Sequence, residues 1–170
     1  MRRVLIALVL LSAACQHIDH APYAGQDQRG LKSFSAEEIE AYLAGDGMGL
    51  AKVAELNGYP GPKHILELAD QLDLTPAQRE SVTASFDRMH TEAVRLGSEI
   101  IEAEKSLDAL FGSAQPQAAE VSGRLVEIGT LEGRLRHAHI AAHLEMRSLL
   151  TPEQIAVYQE LRGYGGHQGH

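Results

Sequence analysis

The fold is decided by a stretch that opens with Leu74-Thr75-Pro76-Ala77-Gln78 and is followed, near the other end of the chain, by a second copy, Leu150-Thr151-Pro152-Glu153-Gln154. In each copy the threonine suits the N-cap of a helix, because its hydroxyl accepts a hydrogen bond from a free backbone amide. The proline that follows suits the first helical position, where no amide donor is needed. The sequence therefore predicts that one helix begins at Pro76 and another at Pro152.

Between the two copies, apolar residues recur at alternating spacings of four and three, which is the heptad pattern of long helices with one buried seam. The first seam comprises Val82, Phe86, Met89, Ala93, Leu96, Ile100, Ala103, Leu107 and Leu110, and the second Val121, Leu125, Ile128, Leu131, Leu135, Ala138, Ala142, Met146 and Leu149. The turn Gly112-Ser-Ala-Gln-Pro116 separates them. Because this loop is short, we predict two long antiparallel helices, over 76–111 and from the turn to about residue 150.

Two of the glycines within the predicted long helices fall near one crossing. Folding the chain about the turn pairs positions whose numbers sum to about 228, so Gly97 falls opposite Leu131 and Gly129 opposite Glu99. A glycine in the middle of a helix costs about 1 kcal/mol relative to alanine. The pair indicates either a close approach of the helices at one crossing or two tolerated glycines, and the sequence leaves both interpretations open.

Shorter helices are predicted around this hairpin. Ser35 and Glu38 have the spacing of a capping box, which predicts a helix over about 36–44. A turn cluster follows at 57–62, an amphipathic helix is expected over 63–72, and the last helix over 152–162. The predicted fold is all-α, a long antiparallel hairpin with short flanking helices. Because two helices alone bury little apolar surface, the short helices or a second copy must cover them, and we expect a homodimer.

The composition excludes several classes of protein. The chain has 170 residues, of which 44% are hydrophobic, and carries 15 basic against 23 acidic residues. This acidic balance argues against binding to nucleic acid, which needs a basic surface. The single cysteine excludes an internal disulfide and a multi-thiolate zinc site. The nine histidines are numerous for this length.

The N-terminus has the pattern of a secretory signal. Two arginines precede the apolar run 4–11, and small residues lead to Cys15. The run is too short to span a bilayer of about 30 Å. We predict a signal peptide over 1–14 and leave two processing routes open. One is simple cleavage after Ala14, and the other includes lipidation of Cys15, whose setting resembles a bacterial lipobox. The protein is then exported to the periplasm or cell envelope, with a lipid anchor in the second case.

The predicted organisation follows from these boundaries. A polar, glycine-containing segment over 15–33 is expected to be a flexible tether, and 34–61 to hold a short helix and turns. Residues 62–162 form the helical domain, and 163–170 a flexible Gly/His tail. Removal of 1–14 takes away two arginines and no acid, which makes the net charge more negative than the −8 of the whole chain.

The doubled Leu-Thr-x-x-Gln motif (Leu74, Thr75 and Gln78; Leu150, Thr151 and Gln154) around a helical hairpin in an exported chain resembles the Spy/CpxP superfamily. That group includes ZraP-like and CnrX-like heavy-metal sensors. The resemblance covers about residues 62–162 and implies an all-helical, often dimeric, non-enzymatic envelope-stress protein. Such proteins hold non-native clients, restrain a membrane signalling partner or bind transition metals. This chain departs from the family in its acidity and in the position of its His-x-x-x-His pair.

The strongest candidate site is a metal site across the hairpin. His139 and His143 are four apart and share a helix face, Met146 is three further on, and the register brings His90 near residue 138. These four side chains suit a divalent transition metal such as zinc, copper, nickel or cobalt. The alternative is that the histidines are half-exposed polar residues at the edge of an amphipathic helix.

Other features give weaker signals. His167 and His170 in the tail, and His17 and His20 near the start, either chelate metal or are inert. No nucleophile–base set, phosphate loop or His-Glu-x-x-His motif is present, so we expect no enzyme activity. A metal-independent chaperone-like holder, or regulator of a signalling partner, is the main alternative function. A holder needs an exposed apolar face, which the segment 63–72 is expected to supply. A purely structural anchored protein is a third possibility.

Overall fold

The computed structural model describes residues 21–113 and 115–164. Within these ranges the chain contains helices and no strand, so the predicted all-α class is confirmed. A 3-10 turn at Gln26–Gln28 precedes six α-helices: α1 (Ala36–Leu43), α2 (Lys52–Glu55), α3 (Pro62–Glu67), α4 (Pro76–Gly112), α5 (Ala118–Leu149) and α6 (Pro152–Leu161). The predicted signal peptide, Cys15 and the histidines at both ends lie outside the described residues.

Helices α4 and α5 form the antiparallel hairpin that the heptads predict. Side chains of the two helices pair in antiparallel order. Ser85 Oγ in α4 donates to Glu145 Oε2 in α5 at 2.6 Å, and Glu92, further along α4, lies 3.6 Å from Arg134, which precedes Glu145 in α5. These pairings agree with the register expected from the turn. Both long helices agree with their predicted bounds to within a residue or two. The start of α4 is fixed locally, by the Thr75 cap and the proline that follows it.

The shorter helices differ more from the prediction. The expected helix over 63–72 ends at Glu67, and α2 was not predicted. Beyond Glu67 the chain continues in isolated turns and reaches Asp73 with a left-handed φ of 47° before α4 begins. The chain must reverse there to start the long helix, and this requirement outweighs the apolar period that favours a longer helix.

The two Leu-Thr-Pro-x-Gln copies are joined to each other. Thr75 and Thr151 each complete a capping box with the glutamine three residues later. Gln78 Nε2 donates to Gln154 Oε1 at 2.8 Å, and Gln154 Nε2 lies 3.1 Å from Gln78 Oε1. The same two amides also donate to the carbonyls of Leu149 and Leu72, at 3.2 Å and 3.1 Å. The doubled motif therefore ties the starts of α4 and α6 together, which is a structural role.

The core has two parts along the hairpin. The first lies at the end that carries the capping motifs and comprises Ile65, Ala69, Leu72, Leu74, Val82, Met146, Leu150, Ile155 and Tyr158. The second lies in the middle and comprises Ala93, Leu96, Ile100, Ala103, Ile128, Leu131 and Leu135. The apolar side of 63–72 belongs to the first part, so our expectation that it forms an exposed client-binding face is wrong. It is buried because α3 packs across α4 and α5.

The far end of the hairpin is not covered. Phe111, Leu125 and Val126 are exposed there, although Leu125 belongs to the predicted seam. The short helices pack on the end of the hairpin that carries the capping motifs and on its middle. The partly buried Phe34 packs against the second core. Before it, Leu31 is buried and Ser33 Oγ donates to Glu104 Oε2 at 2.6 Å. The segment predicted as a tether thus ends in residues that pack on the hairpin.

Gly97 and Gly129 have different roles. A Cβ on Gly97 would lie 2.1 Å from the carbonyl oxygen of Tyr42, so this glycine allows α1 to cross α4 closely. Gly129 faces open space, where a Cβ meets no atom within 4 Å. A single crossing of α4 and α5 at both glycines is therefore wrong, because the close approach is made by α1 and not by α5.

Candidate metal centre

A cavity of about 440 Å³ lies between the hairpin and the segment that links α1 to α3. Four histidines reach its walls from three helices: His64 from α3, His90 from α4, and His139 and His143 from α5. The cavity forms because the glycine-rich turn after α1 and the Pro-Gly-Pro turn before α3 hold the linking segment against the hairpin. The walls also carry Asp46, Met48, Lys52, Glu55, Phe86 and Met89.

His139 is the most buried of the four histidines. It is 5% exposed, and its Nε2 has no hydrogen-bond partner within the described residues. Burial lowers the pKa of His139, and positive charge on His143 or His90 would lower it further. The imidazole is therefore neutral near pH 7 and keeps a nitrogen lone pair available. An unpaired buried nitrogen costs stability, and an ion bound by His139 would remove that cost.

His143 is held by its other ring nitrogen. Its Nδ1 lies 2.7 Å from the carbonyl oxygen of Tyr59, and since a carbonyl can only accept, Nδ1 carries the proton and donates. The lone pair is then on Nε2. A Cβ on Gly61 would lie 3.0 Å from that Nε2, so the glycine leaves room beside this atom.

His90 is fixed in a similar way from the opposite helix. Its Nε2 donates to the carbonyl oxygen of Ala44 at 2.9 Å, which leaves the lone pair on Nδ1. The ring stacks on Phe86 with centroids 5.6 Å apart. The backbone bonds of His90 and His143 resemble the outer-shell bonds that orient histidine ligands in metal sites.

Glu55 lines the cavity, and hydrogen-bond donors surround its carboxylate. Its carboxylate accepts from the Tyr158 hydroxyl at 2.5 Å and from the Gly61 amide at 3.1 Å. His64 and His143 lie 3.7 Å and 3.6 Å from it. Burial, followed by the bond to Glu55, raises the pKa of Tyr158 well above its usual range. Glu55 thus connects the cavity wall to α6.

Three of the four predicted site residues share this cavity: His90, His139 and His143. Met146 does not line it, because its side chain is fully buried in the first core. The sequence did not indicate His64, Met48 or Glu55 as neighbours of the site, since loops and short helices bring them there. The capping residues Leu74, Thr75, Gln78, Leu150, Thr151 and Gln154 also lie away from the cavity walls.

The histidines do not form a closed ligand set. Among the residues that the structure describes, no three His, Cys, Asp or Glu side chains are grouped tightly enough to hold an ion. The imidazoles must therefore move closer together than they stand in the structure before one ion can bind to them. The orphaned Nε2 of His139 and the free nitrogens of His90 and His143 fit such an ion in number and in kind.

The comparison with protein families decides the class of the protein. The profile of a heavy-metal resistance family matches residues 3–156. The chain belongs to this heavy-metal resistance family. The family is related to the Spy/CpxP-like helical proteins that the motifs resemble. No curated protein and no solved structure matches the chain. None of the helices in the described ranges is long and apolar enough to cross a membrane.

Proposed function

We propose that this member of the heavy-metal resistance family is an exported, non-enzymatic protein that binds a divalent transition metal between His90, His139 and His143, for sequestration or sensing. The observation that carries the proposal is the unpartnered Nε2 of His139, a buried residue that lines a cavity together with the other two histidines. The family match supports a role toward heavy metals in general.

The donor set determines which ions are expected. Neutral imidazole nitrogens suit zinc, copper, nickel and cobalt, whereas magnesium and calcium prefer oxygen ligands. Because the pKa of His139 is lowered, a metal ion does not compete with a proton for its nitrogen at neutral pH. The acidic net charge of the chain favours the approach of cations.

The compartment and the assembly are part of the proposal. The signal-like start of the sequence supports export to the periplasm or cell envelope, and lipidation of Cys15 would place the protein at a membrane. A homodimer would cover the exposed Phe111, Leu125 and Val126 at the far end of the hairpin. A membrane signalling protein is the partner that a sensing role requires.

Calorimetric titration with zinc, copper(II), nickel and cobalt at pH 7.5 tests the metal site. The His139→Ala/His143→Ala variant is expected to lose about tenfold or more in affinity, as removal of ligand-shell groups does. The matched control is His167→Gln/His170→Gln, which removes the same number of histidines from the tail. Binding that only the tail variant loses would refute the cavity site.

A metal-independent holder of non-native proteins is a second candidate function. Large apolar side chains remain exposed on and beside the segment that links α1 to α3, among them Leu43, Val53 and Leu56. Exposed apolar surface is what a holder needs. We expect a holder to suppress aggregation of a chemically unfolded client in the presence of a chelator. Suppression that a Val53→Ser/Leu56→Ser variant retains would count against this surface.

A further inference from the structure

We propose that the histidine cavity is selective for copper(I), with the thioethers of Met48 and Met89 joining the imidazoles as ligands. The inference rests on the proposed metal-binding site and differs from the proposed function in the ion, which is monovalent copper(I) in place of a divalent metal. It follows from the side chains that the fold brings to the cavity walls, which include two of the three methionines within the described residues. Thioethers are soft ligands that favour copper(I) over zinc, nickel and cobalt.

Met48 is on the cavity wall without a role in the core. It is 42% exposed and belongs to neither core cluster. It also has a positive φ of 41°, in a turn whose neighbours Gly45, Gly47 and Gly49 suit such backbone. A residue other than glycine rarely adopts this conformation. The turn therefore places a flexible apolar sulfur side chain, in a strained backbone, beside the histidines.

Met89 reaches the same cavity from the hairpin. It precedes His90 in α4 and is partly buried at the edge of the second core. Met89 thus packs against the second core and also lines the cavity. An unbranched thioether changes rotamer easily, so it can move toward an ion without disturbing the core.

The carboxylates at the cavity are less suited to compete for the ion. Glu55 already accepts from Tyr158 and from the amide of Gly61. Asp46 lines the wall but is exposed to water. The imidazoles and thioethers are neutral donors in a partly enclosed site, and a monovalent ion needs less charge compensation there than a divalent one.

The test is a competition titration of copper(I) against a chromophoric copper(I) chelator under anaerobic conditions, with zinc titrated separately. All variants carry Cys15→Ser, so that the thiol does not bind copper(I). The test variant is Met48→Leu/Met89→Leu, which conserves side-chain volume. The matched control is Met146→Leu, since Met146 is in the core and away from the cavity.

We expect Met48→Leu/Met89→Leu to weaken copper(I) binding about tenfold or more, on the scale of other losses around a metal, and to leave zinc binding unchanged. Asp46→Asn should leave copper(I) binding unchanged. Equal copper(I) affinity in the Met48→Leu/Met89→Leu variant and the parent would overturn the inference, and so would an equal loss of zinc affinity. If His139→Ala/His143→Ala leaves the affinity for every metal unchanged, the proposed function itself fails, which is a separate result.

Discussion

Replacement of Gly97 by alanine tests the packing of α1 on α4. A Cβ at this position would lie 2.1 Å from the carbonyl oxygen of Tyr42 and 2.8 Å from its carbonyl carbon. Both are backbone atoms, so no side-chain rotation relieves the contact. Helix α1 must move by more than an ångström, or α4 must bend, before the distance reaches ordinary van der Waals contact.

The magnitude follows from two opposing effects. Alanine stabilises a helix interior by about 1 kcal/mol relative to glycine. Overpacking of a tight site costs about 1–3 kcal/mol, and contact with backbone is at the upper end of that range. We therefore expect Gly97→Ala to lower the free energy of unfolding by about 1–2 kcal/mol, which corresponds to a fall in Tm of about 2–8 °C.

Gly129→Ala and Gly133→Ala are the matched controls. A Cβ at either position meets no atom within 4 Å, so only the helix preference acts. Each control should raise the free energy of unfolding by about 0.5–1 kcal/mol. Urea unfolding followed by circular dichroism measures all three variants. If Gly97→Ala is as stabilising as the controls, the close crossing of α1 and α4 is refuted.

Three further predictions concern the caps, the buried histidine and the metal. Gln78→Ala and Gln154→Ala should each destabilise the fold, and a double-mutant cycle should give a coupling energy of about 0.5–3 kcal/mol, because the two amides bond each other; additive effects would contradict the pairing. In metal-free protein, burial lowers the pKa of His139 below its value in the unfolded chain. As the pH drops below about 6.5 the unfolded chain takes up the proton first, so the free energy of unfolding should fall from its value at pH 7.5. His139→Gln should flatten this part of the pH profile, and an unchanged profile would count against a buried neutral imidazole. A metal that binds the folded cavity should raise the free energy of unfolding by about 2.7 kcal/mol at a free concentration one hundred times Kd, and His139→Ala should abolish the rise; a rise of equal size in His139→Ala would place the metal elsewhere.

Local rules explain why the long helices were predictable. Thr75 and Thr151 cap helices through atoms only three residues away, and the apolar seam repeats along one helix face. The register of the hairpin followed from a short loop, and it correctly brought His90 to the same cavity as His139 and His143. These features depend on near neighbours in the chain, which a sequence displays directly.

The short helices were harder to predict, because their bounds depend on distant contacts. The period over 63–72 favoured a longer helix and an exposed face, whereas the turn at Asp73 and packing against α4 gave a short helix and a buried face. Met146 fits the histidine spacing, but the first core takes its side chain. Helical spacing gives a shared face and does not say whether that face meets the core or a cavity.

The all-α class, the two long helices and the histidine pair could be predicted from the sequence, because capping and periodicity are local. Folding of the chain from α1 to α3 over the hairpin could not be predicted in this way, although it brings Met48, Glu55 and His64 to the other histidines. The role of Gly97 is also a tertiary one, because the backbone carbonyl of Tyr42 in α1 occupies the space that a Cβ at position 97 would need. Such contacts join residues far apart in the chain and leave no periodic signal in it.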